Sequence, residues 1–182
     1  MKTNWDKRFM ELADHISKWS KDNRSFVGAV LVKDNLVIST GYNGFYRGAE
    51  DLKEQYEDAD TKEAMNLHAE ENVILNAARL GIPTVGTTMY LNWFPCERCA
   101  RTIVQAGIKR LVCGKKPDLN HPKYGQRFVQ AMDTLRGGDI DLDYELLPEK
   151  IYKIDVGNIE GDIENYINEK FKEFIKGEKM WV

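Results

Sequence analysis

The sequence predicts an α/β fold: a three-layer α/β/α sandwich around a mixed five-stranded sheet. Two observations carry this. Apolar residues switch repeatedly between helical three- and four-residue spacing and short β-branched runs, in the order α-β-β-α-β-α-β-α-β-α. The first two strands are joined by a tight turn and the later ones by helices, which mixes antiparallel with parallel pairing. A chain of 182 residues with 42% hydrophobic and 30% charged content suffices for one core of this kind.

Residues 5–21 read as an amphipathic helix, with Trp5, Phe9, Leu12, Ala13, Ile16 and Trp19 on one stripe. His15 has no ligand-spaced partner there and reads as a helix-surface residue. Residues 20–25 are a polar turn. Residues 26–32 and 36–40 are strands joined at Lys33-Asp34-Asn35. Residues 41–48 hold three glycines, the mark of a strand-exit loop or of a loop that a ligand approaches closely. Residues 50–63 carry seven acids and two lysines and read as a solvated segment with some helix, or a face toward a neighbouring subunit. Residues 64–80 are helical in pattern and close at Gly81 and Pro83. Residues 87–93 are a strand, 95–107 a turn entering a helix, and 109–113 a short buried strand. A loop over 118–125, a helix over 128–135 and a strand over 140–147 follow, then a helical pattern over 159–174. No repeat, low-complexity segment or linker interrupts them. The expectation is one domain over 1–182, with 148–182 a C-terminal helical extension.

The net charge of −3 offers no basic face for a nucleic-acid polymer. No apolar run approaches the roughly 20 residues of a membrane span, and the N-terminal residues lead into no apolar signal core. A cytoplasmic location is expected. The three cysteines, Cys96, Cys99 and Cys113, argue against a disulfide framework and for metal or redox chemistry.

The chemistry concentrates in residues 66–105. His68-Ala69-Glu70 is followed by Pro95-Cys96-Glu97-Arg98-Cys99, the known His-x-Glu and Pro-Cys-x-x-Cys signature of zinc deaminases. One imidazole and two thiolates are three ligands, the number a catalytic zinc takes while keeping a position for water. Two helix N-termini would converge there and favour thiolates. Glu70 is placed to move protons between that water and an aminated ring. A structural zinc site would need a fourth ligand, and a redox pair would leave His68 and Glu70 without a role. Cys113 reads as a buried thiol. His121 reads as a surface loop residue or as one near the ligand.

These motifs resemble the cytidine deaminase-like superfamily and, within it, the deoxycytidylate (dCMP) deaminases. The closer features are Ser20-Lys21-Asp22, Val27-Gly28-Ala29-Val30, Gly41-Tyr42-Asn43-Gly44-Phe45, residues 68–76, and Ile103-Val104-Gln105-Ala106-Gly107-Ile108. The resemblance implies one catalytic Zn2+ per subunit on His68, Cys96 and Cys99, with Glu70 as proton shuttle. It implies a sugar contact from Asn43, base reading by the Ala69 backbone, and a base pocket walled by Trp93 and Phe94. Ser20, Lys21 and Tyr124 are the 5′-phosphate candidates. It implies dCTP and dTTP effectors, the latter with Mg2+, at a loop site involving Gly44, Arg47 and Gly48. It also implies a homo-oligomer, hexamer or dimer. Tyr46 stands where such loops commonly have proline, which bears on effector binding more than on catalysis. The implied reaction is dCMP to dUMP and ammonia, feeding thymidylate synthesis. The alternatives are deamination of another nucleoside, a modified nucleotide or a tRNA base, or a non-catalytic nucleotide-binding protein.

Overall fold

Helix α1 (Asn4–Ser17) buries Phe9, Met10, Ala13 and Ile16 along one stripe. A computed structural model of the chain describes residues 4–50 and 52–144; the extension over 148–182 and the helix expected at 159–174 lie outside the described residues. The helix stops four residues short of the expected 21. Ser17 turns its hydroxyl back onto the Asp14 carbonyl at 2.7 Å, the local competition by which serine ends helices. Trp19 therefore leaves the apolar stripe and is 54% exposed.

Strands β1 (Gly28–Lys33) and β2 (Leu36–Tyr42) form the expected hairpin. Asp34 (φ 50°) and Asn35 (φ 62°) both adopt the left-handed conformation of a two-residue turn that matches strand twist. A two-residue strand, β3 (Gly44–Phe45), follows, then a 3-10 turn (Lys53–Tyr56) and helix α2 (Ala59–Met65). Strand β4 (Asn66–Leu67) pairs antiparallel with β3, Gly44 opposite Leu67 and Phe45 opposite Asn66. The continuous helix expected over 64–80 is therefore broken: the ladder extends residues 66–68, and α3 (Ala69–Arg79) starts afresh with His68 as its N-cap. The expected glycine loop is likewise part strand, because it supplies the other side of that ladder.

The remaining elements are β5 (Thr88–Leu91), α4 (Glu97–Gln105), β6 (Arg110–Cys113), α5 (Gly125–Gly137) and β7 (Asp141–Tyr144). The five-stranded sheet runs β2-β1-β5-β6-β7. Strand β1 is antiparallel to β2 and β5, while β5, β6 and β7 are parallel, as expected. Alternate strand residues separate the layers. Leu31, Met89, Leu91 and Leu111 meet α3, α4 and α5 on one face. Val30, Val32, Tyr90 and Val112 meet α1 on the other.

Helix α3 is pinned along β2 by side chains. Asn72 Nδ2 donates to the Tyr42 carbonyl (2.8 Å), Asn76 Nδ2 to the Thr40 carbonyl (3.0 Å), and Ser39 Oγ to the Val73 carbonyl (2.7 Å). The approach is close enough to require glycine. A Cβ on Gly41 would lie 2.4 Å from the Val73 nitrogen and 2.9 Å from the Ala69 oxygen, both backbone. Gly41→Ala is expected to cost about 1–3 kcal/mol by forcing α3 outward, visible as an earlier urea unfolding midpoint. A midpoint equal to wild type would refute that contact.

Candidate active site

His68 and Cys96 are the N-cap residues of α3 and α4, and Cys99 lies one turn into α4. The two helix starts thereby face each other. The His68 Nδ1 stands 3.6 Å from the Cys96 sulfur and 3.3 Å from the Cys99 sulfur. One ligand atom from each residue lies within 4.8 Å of the others. An imidazole and two thiols this close, at two positive helix ends, form a donor set compatible with Zn2+.

The protonation pattern fits the same reading. The Cys96 thiol is pushed down to about 4, first by its hydrogen bond with Cys99 and then, against burial, by the His68 imidazole. Cys99 is pushed well up because its proton serves the Cys96 sulfur and it is buried. The Cys96 contact raises His68 to about 9. A dication held by these donors would displace their protons. Glu70, 3% exposed, is the second residue of α3, and burial pushes its carboxyl up to about 7. Such a group exchanges a proton readily at neutral pH.

Ion pairs brace this centre. The His68 amide donates to Glu71 Oε2 (3.2 Å), which also accepts from Arg98 (3.3 Å), linking α3 to α4. Glu97 takes a two-point grip from Arg127 at 2.8 and 3.1 Å, linking α4 to α5. The two variable positions of the Cys-x-x-Cys pattern each hold a flanking helix, Glu97 to α5 and Arg98 to α3.

The other expected residues divide. Ala69 is buried at the first turn of α3, beside His68 and Glu70. Asn43 is buried, its amide donating to Asp22 Oδ2 and the Ser25 carbonyl, both at 3.0 Å, and its oxygen accepting from the Val27 amide at 2.8 Å. Ser20 is buried; its hydroxyl donates to the Asn43 carbonyl (2.7 Å) and accepts from the Asp22 amide (3.2 Å), so it shapes the turn rather than presenting a free hydroxyl. Lys21 is exposed. Phe94 is 3% exposed and packs against Phe128 and Tyr144, a core position rather than an open pocket wall. Trp93 is half-buried with the Lys115 ammonium 3.2 Å over its ring. Tyr124 is the N-cap of α5, 4.8 Å from the His121 ring. His121 Nδ1 accepts from the Lys123 and Tyr124 amides, a capping role. Gly44 is buried in β3, while Arg47 and Gly48 are exposed, Gly48 at φ 89°. Cys113 is fully buried.

The sequence gives no role to Asp22, Lys62 or Tyr56. The acids of residues 50–63 are mostly exposed, but Tyr56 is fully buried, stacked on Phe45 at 4.2 Å. Lys62 reaches Asp22 at 2.6 Å. A lysine and an aromatic among seven acids were the available signal.

The family profile described as the cytidine and deoxycytidylate deaminase zinc-binding region matches residues 3–115. An uncharacterized deaminase in the luxG 3′ region of Aliivibrio fischeri is 33% identical over 153 residues, 84% of this chain and 100% of that protein. A probable deoxycytidylate deaminase of Drosophila melanogaster is 30% identical over 166 residues, 81% of each. The crystal structure of dCMP deaminase from cyanophage S-TIM5, in complex with dCMP and dUMP, superposes with TM-score 0.64 at 24% identity. It covers 79% of this chain and 98% of that one, a likeness of fold. Among the described residues no helix is long and apolar enough to cross a membrane.

Proposed function

We propose a reaction for this chain from one premise: it belongs to the cytidine and deoxycytidylate deaminase family. The reading is hydrolytic deamination of dCMP to dUMP and ammonia. The observation that carries it is the convergence of His68, Cys96 and Cys99 on one point beside the buried carboxyl of Glu70.

His68, Cys96 and Cys99 would hold zinc, which supplies a water acidic enough to attack at neutral pH. Glu70 is the group that would take a proton from the attacking water and deliver it to the ring nitrogen beside the amine-bearing carbon. It then carries the second proton to the departing amine, so that C–NH2 and water become C=O and ammonia. The Ala69 backbone lies beside this carboxyl to read the base. Asn43 has both amide hydrogens engaged, and its oxygen keeps one lone pair for a sugar hydroxyl. Ser20, Lys21 and Tyr124 are the phosphate candidates. The dCMP reading also draws on the relative named for that substrate; the product would serve thymidylate synthesis.

Zinc-loaded protein is expected to deplete the cytosine absorbance of dCMP at least tenfold faster than that of deoxycytidine. Turnover of deoxycytidine or another aminated base at a higher kcat/KM than dCMP would overturn the substrate assignment.

A further inference from the structure

Asp22 is 2% exposed, yet it carries a charge that five groups address. Its Oδ1 accepts from the Arg24 amide (2.8 Å) and the Ser25 amide (3.4 Å). Its Oδ2 meets the Ser25 hydroxyl (3.5 Å), the Asn43 amide (3.0 Å) and the Lys62 ammonium (2.6 Å). A buried carboxylate persists only if paired and hydrogen-bonded. Lys62, itself largely covered, is the pairing cation, and it comes from α2, within the acidic segment that the mechanism above does not use.

That segment is docked at two further points. The Phe45 amide donates to the Tyr56 hydroxyl at 3.3 Å, and Arg24 donates to the Glu57 carbonyl at 3.3 Å. The chain from the 3-10 turn through α2 therefore closes over the loops that hold Asn43. It then runs straight into β4 and His68.

We propose that Lys62 is a positioning residue for the ligand pocket: by neutralising Asp22 it holds Asn43 with both amide hydrogens engaged, so that the second lone pair of its carbonyl oxygen is all it offers a ligand, which must present a hydroxyl donor there. With Asp22 fixed, it holds the Asn43 amide toward itself, and the oxygen is left on the Val27 amide (2.8 Å) with one lone pair to spare. Without Lys62 the buried carboxylate loses its cation, and the turn around it must open toward water. This inference rests on Asn43 being a sugar contact.

The test is a variant series, Lys62→Met, Lys62→Arg and Asp22→Asn with Lys62→Met, in the full zinc-loaded chain. Steady-state kinetics would use dCMP and its 2′,3′-dideoxy counterpart. Lys62→Met is expected to raise KM for dCMP about tenfold with kcat within threefold. Discrimination against the dideoxy compound should collapse toward unity. Lys62→Arg should recover most of both, because it restores the paired cation; the double variant should recover stability but not the discrimination, because a carboxamide offers one acceptor oxygen where the carboxylate of Asp22 offers two. Hydrogen exchange gives a readout independent of substrate: amides in residues 22–27 should exchange at least tenfold faster in Lys62→Met, with α3 and α4 unchanged. Unchanged exchange there together with an unchanged KM would overturn the role of Lys62. Loss of kcat and zinc in step with KM would overturn it in favour of a merely structural residue. Faster exchange in residues 22–27 in a protein that ignores dCMP would sink the substrate assignment and support the clamp.

Discussion

Glu70→Gln is expected to lower kcat by about 10²–10⁴-fold, the usual worth of a positioned general acid–base. Zinc content and KM should change little. Glutamine keeps the shape and one acceptor oxygen but can neither take a proton from water nor pass it on. Stability separates this from damage to the fold. Glu70 is a carboxyl held at 3% exposure, with its acidity suppressed by burial. Replacing it with a neutral group removes a desolvation cost, so the melting temperature should hold or rise while turnover collapses. Stopped-flow or steady-state assays beside a thermal melt decide this. Turnover within tenfold of wild type would remove Glu70 from the proton path. A fall in melting temperature parallel to the loss of activity would make it a packing residue.

Stripping the metal is expected to have the second large effect. His68, Cys96 and Cys99 bind only when folded into one cluster, so metal binding is linked to folding. At a free zinc concentration about 1,000 times Kd the linkage is worth about 4 kcal/mol. For a chain of this size that corresponds to about 8–16 °C of melting temperature. A strong chelator should abolish turnover and lower the melt by that order. Zn2+ should restore both, and Mg2+ neither, because two thiol sulfurs and an imidazole suit a borderline ion and not a hard one. Cys99→Ser should reproduce the chelated state and resist rescue. Full activity after exhaustive chelation would overturn the zinc reading outright.

Much of this molecule was legible in its sequence for a local reason. Helical spacing, the Asp34-Asn35 turn and the glycine after α3 are read from neighbouring residues, and each signal spans only a few positions. The order of elements and the mixed sheet follow from them. The four-residue constellation was equally legible, since His68 with Glu70, and Cys96 with Cys99, are each set by a helix start. The early end of α1 is local, set by Ser17 on the Asp14 carbonyl; the other departures come from pairing between distant segments. The break at Asn66-Leu67 exists because Gly44-Phe45 arrives to form a ladder, and a two-residue strand shows no period of its own. Ser20, a phosphate candidate from the sequence, donates to the Asn43 carbonyl 23 positions on, a partner that nothing near it announces. The place of Phe94 beside the cysteines likewise says nothing of its packing on Phe128 and Tyr144.

By itself, then, the sequence determined the fold class, the hairpin and the residues able to hold a metal beside a carboxyl. Only the tertiary structure decided which polar groups remain available to a ligand. Hydrogen bonds and buried charges are settled between segments that meet only after folding. Asp22, Asn43 and Lys62 carry no shared local pattern, yet the cost of an unpaired carboxylate in the interior binds the three together.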